Sequence, residues 1–308
     1  MKRLWLLFGI ALAMTAGLAG APVSPQRGEA DAPSVDLVEV DVVVVDKEGQ
    51  PVHGLTQKDF SVKEDGRAVA LTTFREVSSL DSAEREPRSI IILLDDIVAP
   101  AVATQAMQII SRGVLRFADE RDELAVVRLS READEPYGDR RLAEERVKGF
   151  AAASAPFLGY VTQREALRRI AGLARQLEAS EQNRKVLLCI GSPVVCNVDE
   201  PTKSSAFNTW DAWVDAMTAS ARANVAVYAI VPGRAVFRRN GLVDHTGGEL
   251  FAATYDVAPA VERILRDASN YYVLGYWPPA GKDKEIRSLN VKVDRRGVQV
   301  RARHRRGR

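Results

Sequence analysis

The sequence is poor in the residues that build metal centres. It contains two cysteines, Cys189 and Cys196, and three histidines, His53, His245 and His304, which are scattered along 308 residues. Structural zinc sites in proteins usually combine four cysteine and histidine ligands at characteristic spacings. We therefore expect no zinc site.

Motifs for catalysis and nucleotide binding are also missing. Ser192 lies in "GSP" and lacks the G-x-S-x-G elbow of a hydrolase, and no histidine has an acid and a nucleophile at a recognisable spacing. The segment "DDIVAPA", residues 95–101, has no glycine, and its two acids would repel a phosphate. We expect neither an enzyme nor a cofactor, and a hydrolase of unknown substrate is kept as an alternative.

Only one long hydrophobic run occurs, and it lies at the start of the chain. Lys2 and Arg3 precede the apolar stretch 4–13 and the small residues "TAGLAGA", which is the layout of a secretory signal peptide over residues 1–21. An uncleaved membrane anchor is the alternative. Residues 22–34, rich in Pro, Ser, Gly and charge, are predicted to be a flexible linker. We expect an exported protein, either periplasmic or extracellular.

Export changes the interpretation of the two cysteines. Cys189 and Cys196 are separated by six residues, and outside the cytoplasm such a pair can form a disulfide. The alternative is two unpaired thiols, one on a strand and one in a loop.

Charge is nearly balanced, with 43 basic and 41 acidic residues, but its distribution is uneven. The last fourteen residues contain seven arginines and no acid. One interpretation is attraction to an anionic surface or membrane lipid, and the other is a polar strand face followed by a solvated basic tail over 305–308. The sequence has no nucleic-acid recognition motif, so nucleic acid is not expected as a partner.

Two β-rich segments flank the centre of the chain. In the first, 35–85, Val38, Val40, Val42 and Val44 alternate with Glu39 and Asp41, and Asp65-Gly66 predicts a hairpin. In the second, 269–304, the alternating runs 289–293 and 298–302 predict another hairpin across "DRRG". Neither segment can bury a core alone, so we expect them to pack together as one discontinuous β-domain.

Residues 86–268 have a different periodicity. Wholly apolar runs at 90–94, 124–129, 186–190 and 225–231 alternate with helical spacing, and Gly247-Gly248 predicts a helix end before a further strand. This pattern is typical of a doubly wound, mostly parallel sheet with helices on both faces. The predicted apolar helix faces comprise Val102, Ala106, Ile109, Ile110, Gly113, Val114 and Phe117; Ala166, Ile170, Leu173, Ala174 and Leu177; Trp210, Trp213, Val214 and Met217; and Val261, Ile264, Leu265 and Ala268.

The order of these segments resembles bacterial exported proteins with a von Willebrand factor type A (VWFA)-related domain. The resemblance rests on residues 42–74, "IIILLDD", "DELAVVRLS", "HTGGELF" and "YYVLGYWPP" followed by a closing β-hairpin. It implies a doubly wound sheet that binds ligands at the carboxyl ends of its strands. The family motif D-x-S-x-S often holds a divalent cation there, with a threonine and an aspartate from later loops, and an acidic side chain of the ligand completes the coordination.

This sequence departs from that motif. Asp95 matches the first aspartate, but Ile97 and Ala99 occupy the serine positions, and "IGSP" has no acid where the later aspartate is expected. Asp119, Glu120 and Asp122 precede the second strand of the α/β block and should lie at the opposite end of the sheet. We expect no metal site and predict that Asp95 and Asp96 accept backbone N–H groups. The alternative is a weak Mg²⁺ site held by these two acids through water.

The functional expectation is a non-enzymatic module that binds a protein or cell-envelope component. A structural role in the envelope is the alternative from another class. Candidate contact residues are those that follow the predicted strands: Asp95, Asp96, Ser130, Arg131, Glu132, Ser192 and Arg234.

Overall fold

A computed structural model of the protein describes residues 37–78, 86–130, 140–153, 160–201, 209–233, 241–253, 257–279 and 286–307. Val35–Arg308 forms one compact unit. The predicted signal peptide and linker lie outside the described residues. Within the described ranges, no helix has both the length and the hydropathy needed to cross a membrane.

The α/β part is built on a five-stranded parallel sheet. All-apolar runs form its strands because both faces of the sheet are covered by helices. The strands are β5 (Arg88–Leu94), β6 (Glu123–Arg128), β7 (Arg184–Ile190), β8 (Val225–Pro232) and β9 (Leu250–Ala253). Their spatial order is β6-β5-β7-β8-β9. The predicted parallel sheet is confirmed, and Gly247, at φ 85°, ends the helix before β9 as expected.

Two helical layers cover the sheet. The α-helices in the described ranges are α1 (Thr104–Phe117), α2 (Arg140–Lys148), α3 (Tyr160–Glu178), α4 (Pro193–Cys196), α5 (Trp210–Arg222), α6 (Leu242–Thr246) and α7 (Ala258–Asp267). A 3-10 turn, Ala101–Ala103, directly precedes α1. Buried residues of α3 and α5 pack on the face that carries Ile91 and Leu93. Buried residues of α1, α2 and α7 pack on the face that carries Ile90 and Ile92.

The predicted core face of α1 is partly wrong. The helix buries Met107, Ile110, Val114 and Leu115 against the sheet. Three members of the predicted face remain exposed, namely Val102, Ile109 and Phe117. The apolar residues of α1 spread over a wider arc of the helix surface than the arc that contacts the sheet. For α3 and α7, by contrast, every residue of the predicted face is buried.

The β-rich segments form two four-stranded antiparallel sheets. Their strands are β1 (Val38–Val45), β2 (Phe60–Glu64), β3 (Arg67–Val69), β4 (Leu71–Val77), β10 (Tyr271–Tyr276), β11 (Ile286–Val293), β12 (Gln299–Ala302) and β13 (Arg305–Gly307). The orders are β12-β1-β10-β4 and β13-β11-β2-β3. Each sheet therefore mixes strands from before and after the α/β part, as predicted for a discontinuous β-domain. A core that includes Val42, Phe60 and Tyr272 lies between strands of both sheets.

One predicted hairpin is confirmed and the other is wrong. β2 and β3 pair across Asp65 and Gly66, both at positive φ. β11 and β12 do not pair with each other, because β11 lies between β13 and β2 whereas β12 pairs with β1. The "DRRG" turn carries the chain from one sheet to the other. The alternation of apolar and polar residues identified both strands, but it could not identify the strands with which they pair.

The strand β1 is buried on both faces in its second half. Val42 and Val44 point to the core between the sheets, as predicted, but Val43 and Val45 are also buried, in a cluster with Tyr271. Val43 lines a small polar cavity together with Arg184, Asn224 and Thr246 of the α/β part. The second face of β1 is therefore covered by the neighbouring domain, which the alternation of its sequence did not predict.

A buried ion pair connects the two parts of the protein at this junction. The guanidinium of Arg184, the first residue of β7, bonds the carboxylate of Asp41 in β1, and both side chains are at least nine-tenths buried. The same guanidinium stacks on the ring of Tyr271 at 4.6 Å. Asn224 donates a further hydrogen bond to Asp41 (2.9 Å).

The C-terminal arginines also belong to this junction. Arg301 pairs with Glu249 and Asp267, Arg303 bonds Asn224 and the carbonyl of Ala221, and Arg305 pairs with Glu200. The predicted solvated tail over 305–308 needs correction, because Arg305–Gly307 forms strand β13 and pairs with β11. The guanidinium groups of Arg301, Arg303 and Arg305 are therefore bonded to partners within the protein.

Substitution of Asp41 tests the junction. Because Asp41→Ala leaves the Arg184 guanidinium buried without its carboxylate, we expect the free energy of unfolding to fall by about 3–5 kcal/mol. Chemical denaturation of the full chain measures it. In the matched control, Glu145→Ala removes the exposed partner of Arg141 and should cost less than about 0.5 kcal/mol. Equal effects of the two substitutions would contradict this account.

Two histidines lie where the C-terminal strands cross α6. The ring of the buried His245 packs edge-on against two other rings. Its centroid lies 5.5 Å from that of Trp213 and 6.3 Å from that of His304. Charged groups near His245 are Glu200, Arg305 and Asp244. Burial lowers the pKa of His245 below the ordinary value of 6.5, and partial burial of the more exposed His304 lowers its pKa in the same direction.

Stability should therefore depend on pH. Because the pKa of both histidines is lower in the folded state, the unfolded chain takes up protons first as the pH falls. Their contribution is complete above pH 6.5 and is lost as the pH falls from 6.5 towards the folded-state values. We expect denaturation curves to show this loss between neutral and acidic pH and the loss to shrink in His245→Gln/His304→Gln. A loss that is unchanged in the double variant would refute the assignment.

Candidate functional site

The candidate site lies at the carboxyl ends of the parallel strands, between β5 and β7. In the order β6-β5-β7-β8-β9, the connection after β5 leads to β6 on one side, and the connection after β7 leads to β8 on the other side. Open α/β sheets bind ligands at such a switch point, where the loops diverge. The loops after β5, β6 and β7 meet here, and we refer to residues 95–100, 129–130 and 191–196 as the strand-end rim.

The carboxylate of Asp95 fills this switch point. Asp95 is fully buried. Its Oδ1 accepts the backbone N–H groups of Ile97 (3.1 Å) and Val98 (2.8 Å), and its Oδ2 accepts that of Ser192 (2.9 Å). Both oxygens are thus engaged by backbone donors from two loops, and the prediction that this acid accepts backbone N–H groups is confirmed.

Gly191 allows the loop after β7 to approach Asp95. A Cβ atom at residue 191 would lie 2.1 Å from Asp95 Cβ, far inside any van der Waals contact. Only glycine fits this approach, which brings the Ser192 N–H into bonding distance of the carboxylate. Gly191 therefore makes the contact between the Asp95 carboxylate and the loop after β7 possible.

Asp96 joins the loop after β5 to the loop after β6. Its Oδ1 accepts the backbone N–H of Ser130 (2.9 Å), and its Oδ2 accepts the Ser130 hydroxyl (2.5 Å). The carbonyl of Asp96 accepts the N–H of Ala153 (3.1 Å). Asp96 is 8% exposed, whereas Ser130 is exposed at the surface. The pair gives the strand-end rim a second fixed connection.

A disulfide closes the loop after β7. Cys189 in β7 is bonded to Cys196 at the end of α4, and both residues are buried. Of the two alternatives left open by the sequence, the structure contains the disulfide. The enclosed segment includes Gly191, Ser192 and the exposed Val194. The cross-link restricts the loop that donates to Asp95.

The acids before β6 lie at the other end of the sheet, as expected from their position in the chain. Asp122 pairs with the buried guanidinium of Arg88, the first residue of β5 (2.5 Å). Arg88 also bonds the carbonyl of Leu265 and the hydroxyl of Ser269. These groups cannot complete a site with Asp95, which follows the opposite end of the same strand.

The arrangement around Asp95 suits a metal ion poorly. A hard cation such as Mg²⁺ needs several oxygen ligands in octahedral geometry. Both Asp95 oxygens already accept N–H donors, and residues 97 and 99 are isoleucine and alanine. In the part of the chain that is described, no group of three or more His, Cys, Asp or Glu side chains is placed to hold a metal.

Of the predicted contact residues, four are described and fall into two bonded pairs. Asp95 bonds Ser192, and Asp96 bonds Ser130. The other three, Arg131, Glu132 and Arg234, lie outside the described residues. The apolar members of the rim were not among the predicted contact residues. They are Ile97, Val98 and Val194, of which Val194 is 38% exposed. Their positions in the loops that follow β5 and β7 could have identified them.

Comparisons with known proteins give distant similarities. No protein-family model and no curated protein sequence matches the chain. Among solved structures, it is similar to a proximal thread matrix protein from the mussel byssus, with 11% identity, a TM-score of 0.41 and 63% of this chain covered. It is also similar to a mutant of the PilB minor pilin from Streptococcus sanguinis, with 8% identity, a TM-score of 0.35 and 60% covered. The chain spans 50% and 60% of those proteins, respectively, and similarity at this level identifies neither a family nor a function.

Substitution of Asp95 tests the role assigned to its carboxylate. In Asp95→Asn, the amide group must face at least one of the N–H donors of Ile97, Val98 and Ser192. One buried donor then loses its acceptor, so we expect the free energy of unfolding to fall by about 1–3 kcal/mol. The control Asp294→Asn changes an exposed acid in the "DRRG" turn and should have no measurable effect in the same denaturation assay. Unchanged or increased stability of Asp95→Asn would show that the carboxylate is not bonded as described.

Proposed function

We propose that the protein is a VWFA-related, non-enzymatic binding module that recognises a protein or cell-envelope component through the strand-end rim. In this proposal the metal-ion-dependent adhesion site of the family is degenerate, and binding does not use a cation. The main support is the Asp95 carboxylate, which is buried and bonded to three backbone N–H groups. A carboxylate engaged in this way stabilises the rim instead of presenting oxygens to a cation.

The exposed chemistry of the rim is consistent with protein recognition. Ile97 and Val98 are partly buried against the core, Val194 is 38% exposed, and Ser130 adds a hydroxyl at the surface. Interface centres combine apolar contact with a few polar groups. Because the Asp95 bonds and the disulfide fix the loops, little conformational entropy is lost on binding.

We also propose that the protein is exported, to the periplasm or the exterior. Two features support this: the signal-peptide pattern at 1–21 and the disulfide between Cys189 and Cys196. Disulfides persist in oxidising compartments and are rare in the cytosol.

Hydrolysis is the alternative with a concrete test. Ser192 is the candidate nucleophile, but its described contacts are structural: its N–H donates to Asp95, and its carbonyl accepts the N–H of Cys196 (2.9 Å). Activity on generic ester, peptide or phosphate substrates that disappears in Ser192→Ala would favour an enzyme over a binding module.

A structural role in the envelope is the second alternative. In that case the β-domain would be the working part and the α/β part a spacer. Because buried ion pairs such as Asp41–Arg184 cross the junction, truncation would leave charges unpaired and would not separate the two roles cleanly. Point substitutions on the rim separate them in the intact chain.

The proposal predicts capture of a partner that is independent of cations. With the purified protein immobilised, the same envelope proteins should be retained in Mg²⁺ and in EDTA. Val194→Asp places a charge on the rim and should reduce capture at least tenfold, the effect expected for an interface contact that contributes about 1.4 kcal/mol or more.

Phe117→Asp is the matched control for that experiment. Phe117 and Val194 are both 38% exposed, but Phe117 lies at the far end of α1, away from the rim. Capture by this variant should equal that of the wild type. Strict dependence on Mg²⁺ would contradict the degenerate site, and equal losses in the two variants would contradict the rim.

A further inference from the structure

A small polar cavity lies where the β-domain meets the α/β part. Its volume is about 140 Å³. The polar side chains that the argument uses come from both parts of the protein: Arg75, Ser78 and Tyr271 from the β-domain, and Glu86, Arg184 and Ser269 from the α/β part. Because Arg184 is the first residue of β7, the cavity lies at the end of the sheet opposite the strand-end rim. We call it the junction cavity.

Two buried polar atoms of residues that line the junction cavity have no hydrogen-bond partner within the described ranges. They are Ser78 Oγ and Arg184 Nε. Arg184 also borders the smaller cavity beside Val43, so Ser78 Oγ is the atom that the junction cavity alone can serve. A buried polar atom without a partner is unfavourable, and a ligand that supplies the partner gains affinity from it.

The Tyr271 hydroxyl adds a further polar group. The Arg184 guanidinium covers the ring of Tyr271 at 4.6 Å. The charged groups that act on the hydroxyl are those of Asp41, Arg184, Glu86 and Arg75. Burial raises the pKa of Tyr271, so the hydroxyl stays protonated and can both donate and accept a hydrogen bond.

Two other residues of the lining have their polar groups bonded within the protein. Ser269 donates its hydroxyl to the carbonyl of Leu265 (2.9 Å) and accepts from Arg88 (3.0 Å). Glu76 accepts from the His53 ring (3.0 Å) and from the N–H of Gly54 (3.2 Å). Since side chains alternate along a strand and Val77 packs with Tyr271, the Glu76 carboxylate lies on the other face of β4.

The charges around the junction cavity are already paired. Arg75 bonds Glu86 (3.0 Å) in a partly exposed pair, and Arg184 bonds Asp41. An anion in the cavity would meet two carboxylates, and a cation would meet two guanidinium groups, without an unpaired charge of opposite sign to attract either. The charge balance therefore favours a neutral ligand.

We propose that the junction cavity binds a neutral ligand with neighbouring hydroxyl groups, either a free polyol or one sugar residue of a glycan. A hydroxyl can donate to Glu86 and accept from Ser78 or Tyr271, so one molecule satisfies both kinds of group. A cavity of about 150 Å³ admits benzene, which has about six heavy atoms, and the junction cavity therefore suits glycerol or one edge of a sugar ring. This site is separate from the strand-end rim and does not depend on the recognition proposed there.

Saturation-transfer NMR on the purified protein tests the site. Glycerol and glucose are the neutral probes, and acetate and methylammonium are the charged probes. We expect stronger saturation transfer to glycerol or glucose than to either charged probe. Transfer to glycerol alone would identify a free polyol as the ligand, transfer to glucose would identify a sugar residue, and both results support the proposal.

Two conservative variants locate the contact. Tyr271→Phe keeps the ring under Arg184 and removes the hydroxyl, and Ser78→Ala removes the other hydroxyl. Each variant loses one hydrogen bond to the ligand, so we expect the Kd of the bound probe to rise about fivefold. Arg184 is left unchanged because it also holds the junction through Asp41.

Tyr272→Phe is the matched control. Tyr272 is the next residue of β10, but its hydroxyl accepts the N–H of Leu55 (3.2 Å) and donates to the carbonyl of Val52 (2.8 Å), away from the junction cavity. This variant should bind the probe like the wild type, and circular dichroism shows that each variant is folded. The proposal would be overturned by three results: no transfer to either neutral probe, transfer to a charged probe that equals or exceeds it, or the same Kd in Tyr271→Phe and Ser78→Ala as in Tyr272→Phe.

Discussion

The Asp95 carboxylate is the constraint on which the rest of the strand-end rim depends. It follows β5, an inner strand of the sheet, and bonds backbone N–H groups of its own loop and of the loop after β7. Gly191 permits the close approach, and the Cys189–Cys196 disulfide closes the loop that supplies Ser192. The crevice in which an open α/β sheet would hold a ligand is therefore occupied by a side chain of the protein itself. What is left for recognition is the outer surface of the loops.

The opposite end of the sheet is organised by charges that are also buried. Arg184 and Arg88, the first residues of β7 and β5, bond Asp41 and Asp122. Arg301 adds a further pair with Asp267. Removing one partner of such a pair costs more than the pair contributes to stability. The junction thus fixes how the β-domain is attached to the α/β part, and the rim is displayed at the far end.

Most of the fold could be predicted from the sequence because its signals are local. Uninterrupted apolar runs mark strands that are covered on both faces, and Asp65-Gly66 supplies the positive φ values that a tight hairpin needs. Prediction failed where the answer depends on another part of the chain. Alternation in 298–302 identifies a strand but not its partner β1, and the burial of Val43 depends on the neighbouring domain. On α1, apolar residues also occur outside the part of the helix surface that contacts the sheet, so the apolar pattern alone did not define the buried face.

The candidate site was predictable to a similar extent. Because Ile97 and Ala99 offer no side-chain oxygen to a cation, the sequence indicated that Asp95 bonds backbone N–H groups instead. That Ser192 supplies one of these N–H groups could not be predicted, because it depends on the pairing of β5 with β7.

Crystals grown in Mn²⁺ test the central claim most directly, because anomalous scattering locates that ion unambiguously. The account predicts no manganese at Asp95 and a carboxylate still bonded to Ile97, Val98 and Ser192. An octahedrally coordinated ion on Asp95 would contradict it.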